Sequence, residues 1–230
     1  MDKRSLQASA RKILDPVVDL LVTFHVSPLL VTVFGLAFSL WGGIAVARGS
    51  LLAGGLFLLL AGLCDVLDGD VARRLGKASR FGAFIDSMLD RVGEFVYFGG
   101  IVMYVVGRPS GFEVYEPVVV MLALMGSVLT SYARARAEGV GIECKVGVME
   151  RPERIALLAI GSIAGYRFLM AVMILLAATT LYTVFQRIRH VHRVAAREGE
   201  HPPATPDETV QLTPAGQYDT VHPPQTGRRP

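Results

Sequence analysis

Apolar residues in this chain gather in long uninterrupted blocks, unlike the alternating or 3.6-residue patterns of a soluble fold. Residues 29–47 form 19 positions without a charge, and residues 168–185 form 18. Each block approaches the roughly 20 residues that a bilayer-crossing helix needs. Divided at charged or Gly/Pro punctuation, the pattern predicts six membrane helices, over about 28–48, 51–73, 81–106, 116–137, 152–165 and 168–188. The fifth is the shortest, since only residues 155–166 are cleanly apolar. The runs are continuous and do not alternate, which argues against a transmembrane barrel.

Composition agrees. Hydrophobic residues make up 52% of the 230, charged residues 19%, and mean hydropathy is +0.45. Soluble domains carry about 25% charged residues and no such runs, so a soluble enzyme and a fully disordered chain are excluded. Two cysteines, Cys64 and Cys144, are too few for a disulfide framework, and neither has a metal ligand at a useful spacing. The fold class expected is all-α, an integral membrane protein. The charged N-terminus and the late, long first apolar run do not read as a cleavable signal.

Basic residues collect on the cytoplasmic side of spans. Lys3, Arg4, Arg11 and Lys12 precede the first span; Arg73, Arg74, Lys77 and Arg80 join spans two and three. Arg134, Arg136, Lys145, Arg151 and Arg154 surround the connection between spans four and five, and Arg187, Arg189, Arg193 and Arg197 follow span six. The other three connections hold one arginine each, Arg48, Arg108 and Arg167. This alternation puts both termini in the cytoplasm of a multi-pass cell-membrane protein.

Ahead of the first span, Ile13, Leu14, Val17, Val18, Leu21 and Phe24 recur at helical spacing, with Arg11, Lys12, Asp15 and Asp19 between them. That pattern predicts an amphipathic helix on the cytoplasmic leaflet. Beyond Glu198 the chain is rich in Pro, Thr and Gln and lacks apolar clusters, so no packed core is expected there. Three regions result: a leader and surface helix over 1–27, a six-helix domain over 28–190, and a disordered tail over 198–230.

Carboxylates inside spans are costly and are functional candidates. At 1.5 Å per residue, Asp65 and Asp68 lie roughly 21 and 25 Å from the outer end of span two. By the same rise Asp90 and Asp86 lie about 24 and 30 Å from the outer end of span three. Four carboxylates therefore meet near the cytoplasmic face. Asp65/Asp68 are i, i+3 and Asp86/Asp90 are i, i+4, so each pair shares a helix face. Such a group repels itself unless cations intervene, and oxygen-only ligands favour Mg²⁺ or Mn²⁺, two of which can clamp a pyrophosphate. Gly69, Ala72 and Gly82 leave room for a ligand nearby, and Arg73 and Arg80 supply guanidinium forks for phosphate.

From Asp65 the chain reads D-x2-D-G-x2-A-R-x8-G-x3-D-x3-D, filled by Asp65, Asp68, Gly69, Ala72, Arg73, Gly82, Asp86 and Asp90. This resembles the CDP-alcohol phosphatidyltransferases, and the likeness covers most of residues 5–190. The resemblance implies a homodimer that displaces CMP from CDP-diacylglycerol with the hydroxyl of a small alcohol, in phospholipid biosynthesis. It also implies that Asp65 and Asp86 bridge two Mg²⁺ ions (Mn²⁺ an alternative), with Asp68 completing one site and Asp90 the other. Asp90 would further take the proton of the acceptor hydroxyl. Gly69, Ala72, Arg73, Ser79 and Gly82 would face the CDP moiety, with Pro28, Leu29, Leu30 and Val31 closing over it. Thr32 and Glu94 stay open, Glu94 as a support to the site or as a partner of Arg91.

The acceptor is read from the fourth connection. Ser131, Arg134, Arg151 and Arg154 are placed to surround a phosphate, and the stretch resembles the bacterial phosphatidylinositol phosphate synthase branch, where serine and basic residues hold inositol phosphate. Glycerol 3-phosphate is the alternative acceptor, although the Lys-Thr-x2-Gln segment typical of that branch is absent. Glu150 and Glu153 compete for the same arginines. A metal-dependent membrane prenyl transferase would lack the D-G-x2-A-R centre, and a cation transporter would carry its acids near the midplane. The partners expected are lipid, CDP-diacylglycerol, a phosphorylated polyol and a second copy, with no nucleic acid.

Overall fold

The computed structural model describes residues 14–109 and 113–197; the leader residues before 14 and the tail from 198 lie outside that description. Among the described residues every regular element is helical. A short helix α1 (14–23) leads into α2 (Pro28–Ala47), α3 (Leu51–Arg74), α4 (Arg80–Val106), α5 (Tyr115–Gly139), α6 (Arg151–Ala164) and α7 (Tyr166–Arg197). The boundaries follow local chemistry. Pro28 opens α2, Ser79 caps α4, Glu150 and Glu153 form a reciprocal cap on α6, and Gly165, at φ 98°, separates α6 from α7.

Helices α2, α3, α5 and α7 are each long and apolar enough to cross a bilayer. Of the six expected spans, the other two, α4 and α6, are not, by length and composition alone. α4 carries Asp86, Asp90, Arg91 and Glu94 within its first fifteen residues, and α6 has only 14 residues. α7 runs to Arg197, nine residues past the expected end of its apolar block.

Within the bundle α2 packs against α3 and α4, α3 against α6, and α5 against α7. Large apolar side chains such as Phe34, Trp41, Phe95, Met103, Met121 and Phe168 are exposed, as a lipid-facing surface requires. One core, built on Tyr97, Ile101, Leu169 and Met173, fills the half away from the carboxylates. A second joins α1 to the site, with Val18 buried against Val31, Cys64, Leu67 and Val71. Arg74 pairs with both Asp15 and Asp19, holding α1 against the end of α3. Only part of the apolar face of α1 is covered, since Val17 and Phe24 are exposed. Small residues permit close helix approach. A Cβ on Gly100 of α4 would lie 2.2 Å from the carbonyl oxygen of Gly43 on α2, and one on Gly55 of α3 would lie 2.7 Å from that of Ala159 on α6. Gly99, by contrast, faces open space.

Candidate functional site

Three of the four carboxylates converge. Asp65 on α3 and Asp86 and Asp90 on α4 each bring one oxygen within 4.8 Å of the others. Asp68 is turned away from this trio. Three residues carry a helix through roughly 300° and 4.5 Å, so Asp68 faces α2, where its Oδ2 accepts from the Thr32 hydroxyl at 2.8 Å. The ambiguous Thr32 is therefore an anchor for Asp68.

The carboxylates border two spaces. A narrow cleft of about 50 Å³ descends into the bundle past Glu94, Tyr97, Ser127 and Arg154. A wider groove of about 460 Å³ opens beside it, and Asp68 and Asp86 line both. Pro28, Leu29, Gly69, Ala72, Arg73, Ser79 and Gly82 line the groove together with Lys77. Leu30 and Val31 do not. Leu30 is 48% exposed on the outer face of α2, while Val31 is buried in the small core beneath α1. Successive helical residues point 100° apart, so four consecutive positions cannot share one surface. Ser79 accepts from the Gly82 amide at 3.0 Å as the α4 cap, and Arg73 pairs with Asp70 one turn back.

The expected acceptor residues separate into three environments. Arg154, only 4% exposed, donates from Nη2 to the Ser131 hydroxyl at 3.2 Å. Arg134 is 42% exposed and pairs with Glu138 one turn along α5 at 2.8 Å. Arg151 bridges the carboxylates themselves, at 2.9 Å to Asp65 and 2.6 Å to Asp90. Glu150 and Glu153 take part in the α6 cap. Outside the spans, the Lys145 ammonium beside Glu143 holds that exposed carboxyl below its ordinary range.

Glu94, left open by the sequence, finds a partner other than Arg91, and Arg187 has a role the sequence did not suggest. Glu94 accepts from Ser127 on α5, whereas Arg91 donates to the Ser87 carbonyl at 2.8 Å and lies 3.6 Å from Asp90. Arg187, counted with the cytoplasmic charges, is buried and donates to the carbonyls of Thr130 and of Val146, the latter at 3.0 Å. Its spacing from Thr180 and Thr183 on the buried face of α7 is the signal that identifies it.

The trio suits a hard divalent cation. Its donors are all oxygen, and Asp86 Oδ1 is buried without a hydrogen-bond partner, an orphan acceptor that a cation would satisfy. The sequence model of the CDP-alcohol phosphatidyltransferases matches residues 25–195. The archaetidylinositol phosphate synthase of Methanothermobacter thermautotrophicus is 38% identical over 79% of this chain and 89% of its own. The phosphatidylinositol phosphate synthase of Streptomyces avermitilis is 34% identical over 80% of both chains. Among solved structures, the Mycobacterium tuberculosis phosphatidylinositol phosphate synthase with CDP-DAG bound superposes with a TM-score of 0.70, at 29% identity over 78% of this chain and 94% of that one. The same enzyme with manganese and citrate gives 0.69 at 29% identity, covering 77% and 88%. With the full aspartate motif inside the matched region, this chain belongs to the CDP-alcohol phosphatidyltransferase family and is an enzyme of that class.

Proposed function

We propose that this enzyme transfers the phosphatidyl group of CDP-diacylglycerol to a hydroxyl of an inositol phosphate, releasing CMP at the cytoplasmic face. The observation that carries the reading is the meeting of the Asp65–Asp86–Asp90 trio with the buried Arg154 along one cleft, Arg154 donating in turn to Ser131. The names of the relatives support the acceptor. The charge alternation supports six membrane-spanning helices with both termini cytoplasmic, and the family resemblance supports a homodimer. In this reading residues 28–190 are the catalytic unit and 1–27 its surface-helix leader.

The groove beside the trio takes the donor. Arg73 and Lys77 offer positive charge to its phosphates, Gly69 and Gly82 allow close approach, and Leu29 and Phe81 give the acyl side an apolar wall. Asp65, Asp86 and Asp90, with Asp68 beside them, would hold two Mg²⁺ ions, which when bound neutralise the pyrophosphate. The acceptor hydroxyl oxygen attacks the phosphorus that carries the diacylglycerol, and the phosphoanhydride bond to CMP breaks. Asp90 takes the hydroxyl proton. Arg154 and Ser131 hold the acceptor phosphate, with Arg151 beside the carboxylates and Arg134 nearer the surface.

Purified protein incubated with CDP-diacylglycerol, Mg²⁺ and candidate acceptors tests this by CMP release. Inositol phosphate should exceed glycerol 3-phosphate, and both should exceed unphosphorylated polyols. Equal turnover with free inositol, glycerol or serine would refute the acceptor.

A further inference from the structure

We infer that Glu94 is the positioning residue for Arg154, the buried guanidinium whose role rests on the acceptor reading above. Glu94 lies outside the aspartate motif, one turn beyond Asp90 on α4. A carboxylate at that depth is expensive unless it has a task.

The pairing of charges around the site leaves it one. Asp65 and Asp90 are bridged by Arg151, Asp90 also has Arg91, Asp70 has Arg73, and Glu138 has Arg134. Arg154 has no carboxylate in contact among the described residues. Glu94 is the acid whose charge bears on it, against the repulsion of Arg151, Arg91 and Arg187. The geometry is reciprocal. Ser127 holds one oxygen of Glu94, and its other oxygen is buried without a hydrogen-bond partner. Ser131 receives Nη2 of Arg154, and the Nε of Arg154 is likewise buried without one. Ser127 and Ser131 stand one turn apart on α5, so that helix carries both contacts. An orphan acceptor and an orphan donor thus belong to one cleft of about 50 Å³, room enough for a bridging water. A buried cation needs such a counter-charge to keep one orientation. Glu94 supplies it, so that Arg154 meets the acceptor already aimed.

The competing role is a simple tie between α4 and α5, and one substitution separates the two. Glu94→Gln keeps an amide oxygen for the Ser127 hydroxyl, removes the charge and turns the acceptor facing Arg154 into a donor. It should raise the acceptor KM on the order of tenfold, with kcat and the CDP-diacylglycerol KM within about twofold. In an Arg154→Ala background it should add nothing further. Glu94→Asp, which keeps the charge on a shorter stem, should recover part of the loss. If Arg154→Ala raises the acceptor KM while Glu94→Gln leaves it unchanged, or impairs both substrates alike, the positioning role is overturned and the acceptor reading stands. If Arg154→Ala itself leaves the acceptor KM unchanged, the acceptor reading fails and this inference with it. Should Glu94→Gln fail to fold, Ser127→Ala reads the same axis. A raised acceptor KM alone supports the role, and an unchanged one overturns it.

Discussion

Substituting Gly100 by alanine tests the helix packing that sets the site. The added Cβ would lie 2.2 Å from the Gly43 carbonyl oxygen, 2.8 Å from its carbon and 3.0 Å from its Cα. All three are backbone atoms, so no rotamer change relieves the clash. A C···O contact normally needs about 3.3 Å, and α2 and α4 must therefore part by about 1 Å locally. Overpacking of this kind costs about 1–3 kcal/mol, or roughly 3–10 °C in melting temperature for a chain of this length. Catalysis should suffer as well. α4 carries Asp86 and Asp90, α2 carries the Thr32 anchor of Asp68, and a misplacement of about 1 Å can cost 10²-fold. The neighbouring Gly99→Ala is the matched control, because nothing lies within 4 Å of its Cβ; alanine gains about 1 kcal/mol of helix propensity over glycine. Thermal dispersion of the purified protein in detergent, paired with CMP release, reads both quantities. Equal melting temperatures for the two variants would refute the packing argument.

Asp90→Asn should leave the protein folded and able to bind CDP-diacylglycerol but lower turnover about 10²–10⁴-fold; retention of more than about a tenth would remove Asp90 as the base. Chelation should abolish CMP release, Mg²⁺ or Mn²⁺ should restore it, and Asp65→Ala should raise the metal concentration required; full activity in excess EDTA contradicts the mechanism. Ser79→Ala should cost about 1 kcal/mol of stability through the lost cap of α4, and Ser79→Asp should recover it; unchanged melting for Ser79→Ala would show that the Gly82 contact contributes nothing.

The helices were legible because lipid imposes long apolar runs, and proline, serine and glycine mark their ends. The aspartates were legible because i, i+3 and i, i+4 spacing and depth are arithmetic. What spacing could not give is rotation. Asp68 and Asp65 share a side of α3, yet only Asp65 joins the trio, because three residues leave them about 60° apart. Leu30 and Val31 were grouped with Pro28 and Leu29 as one segment, although a helix spreads four neighbours around its circumference. The arginines posed a different difficulty. Arg134, Arg151, Arg154 and Arg187 look alike as cytoplasmic charges, and only partners from other elements separate the surface Arg134 from the three set into the protein. α4 and α6 differ from the other helices of the bundle for plain reasons: α4 carries charges toward the carboxylate cleft, and α6 is short.

The connection between α5 and α6 has no regular secondary structure from Ile142 to Glu150, yet it is bound on several sides. Arg187 holds the Val146 carbonyl, His190 lies 3.0 Å from the Glu143 carbonyl, and Cys144 and Met149 are buried. A Cβ on Gly147 would meet the Thr183 methyl at 2.6 Å. Such a segment behaves as masonry rather than as a hinge. Proteases should pass it over. The connection is thereby tied to α7 in advance, so α5 and α6 meet at a fixed joint instead of at a closing flap.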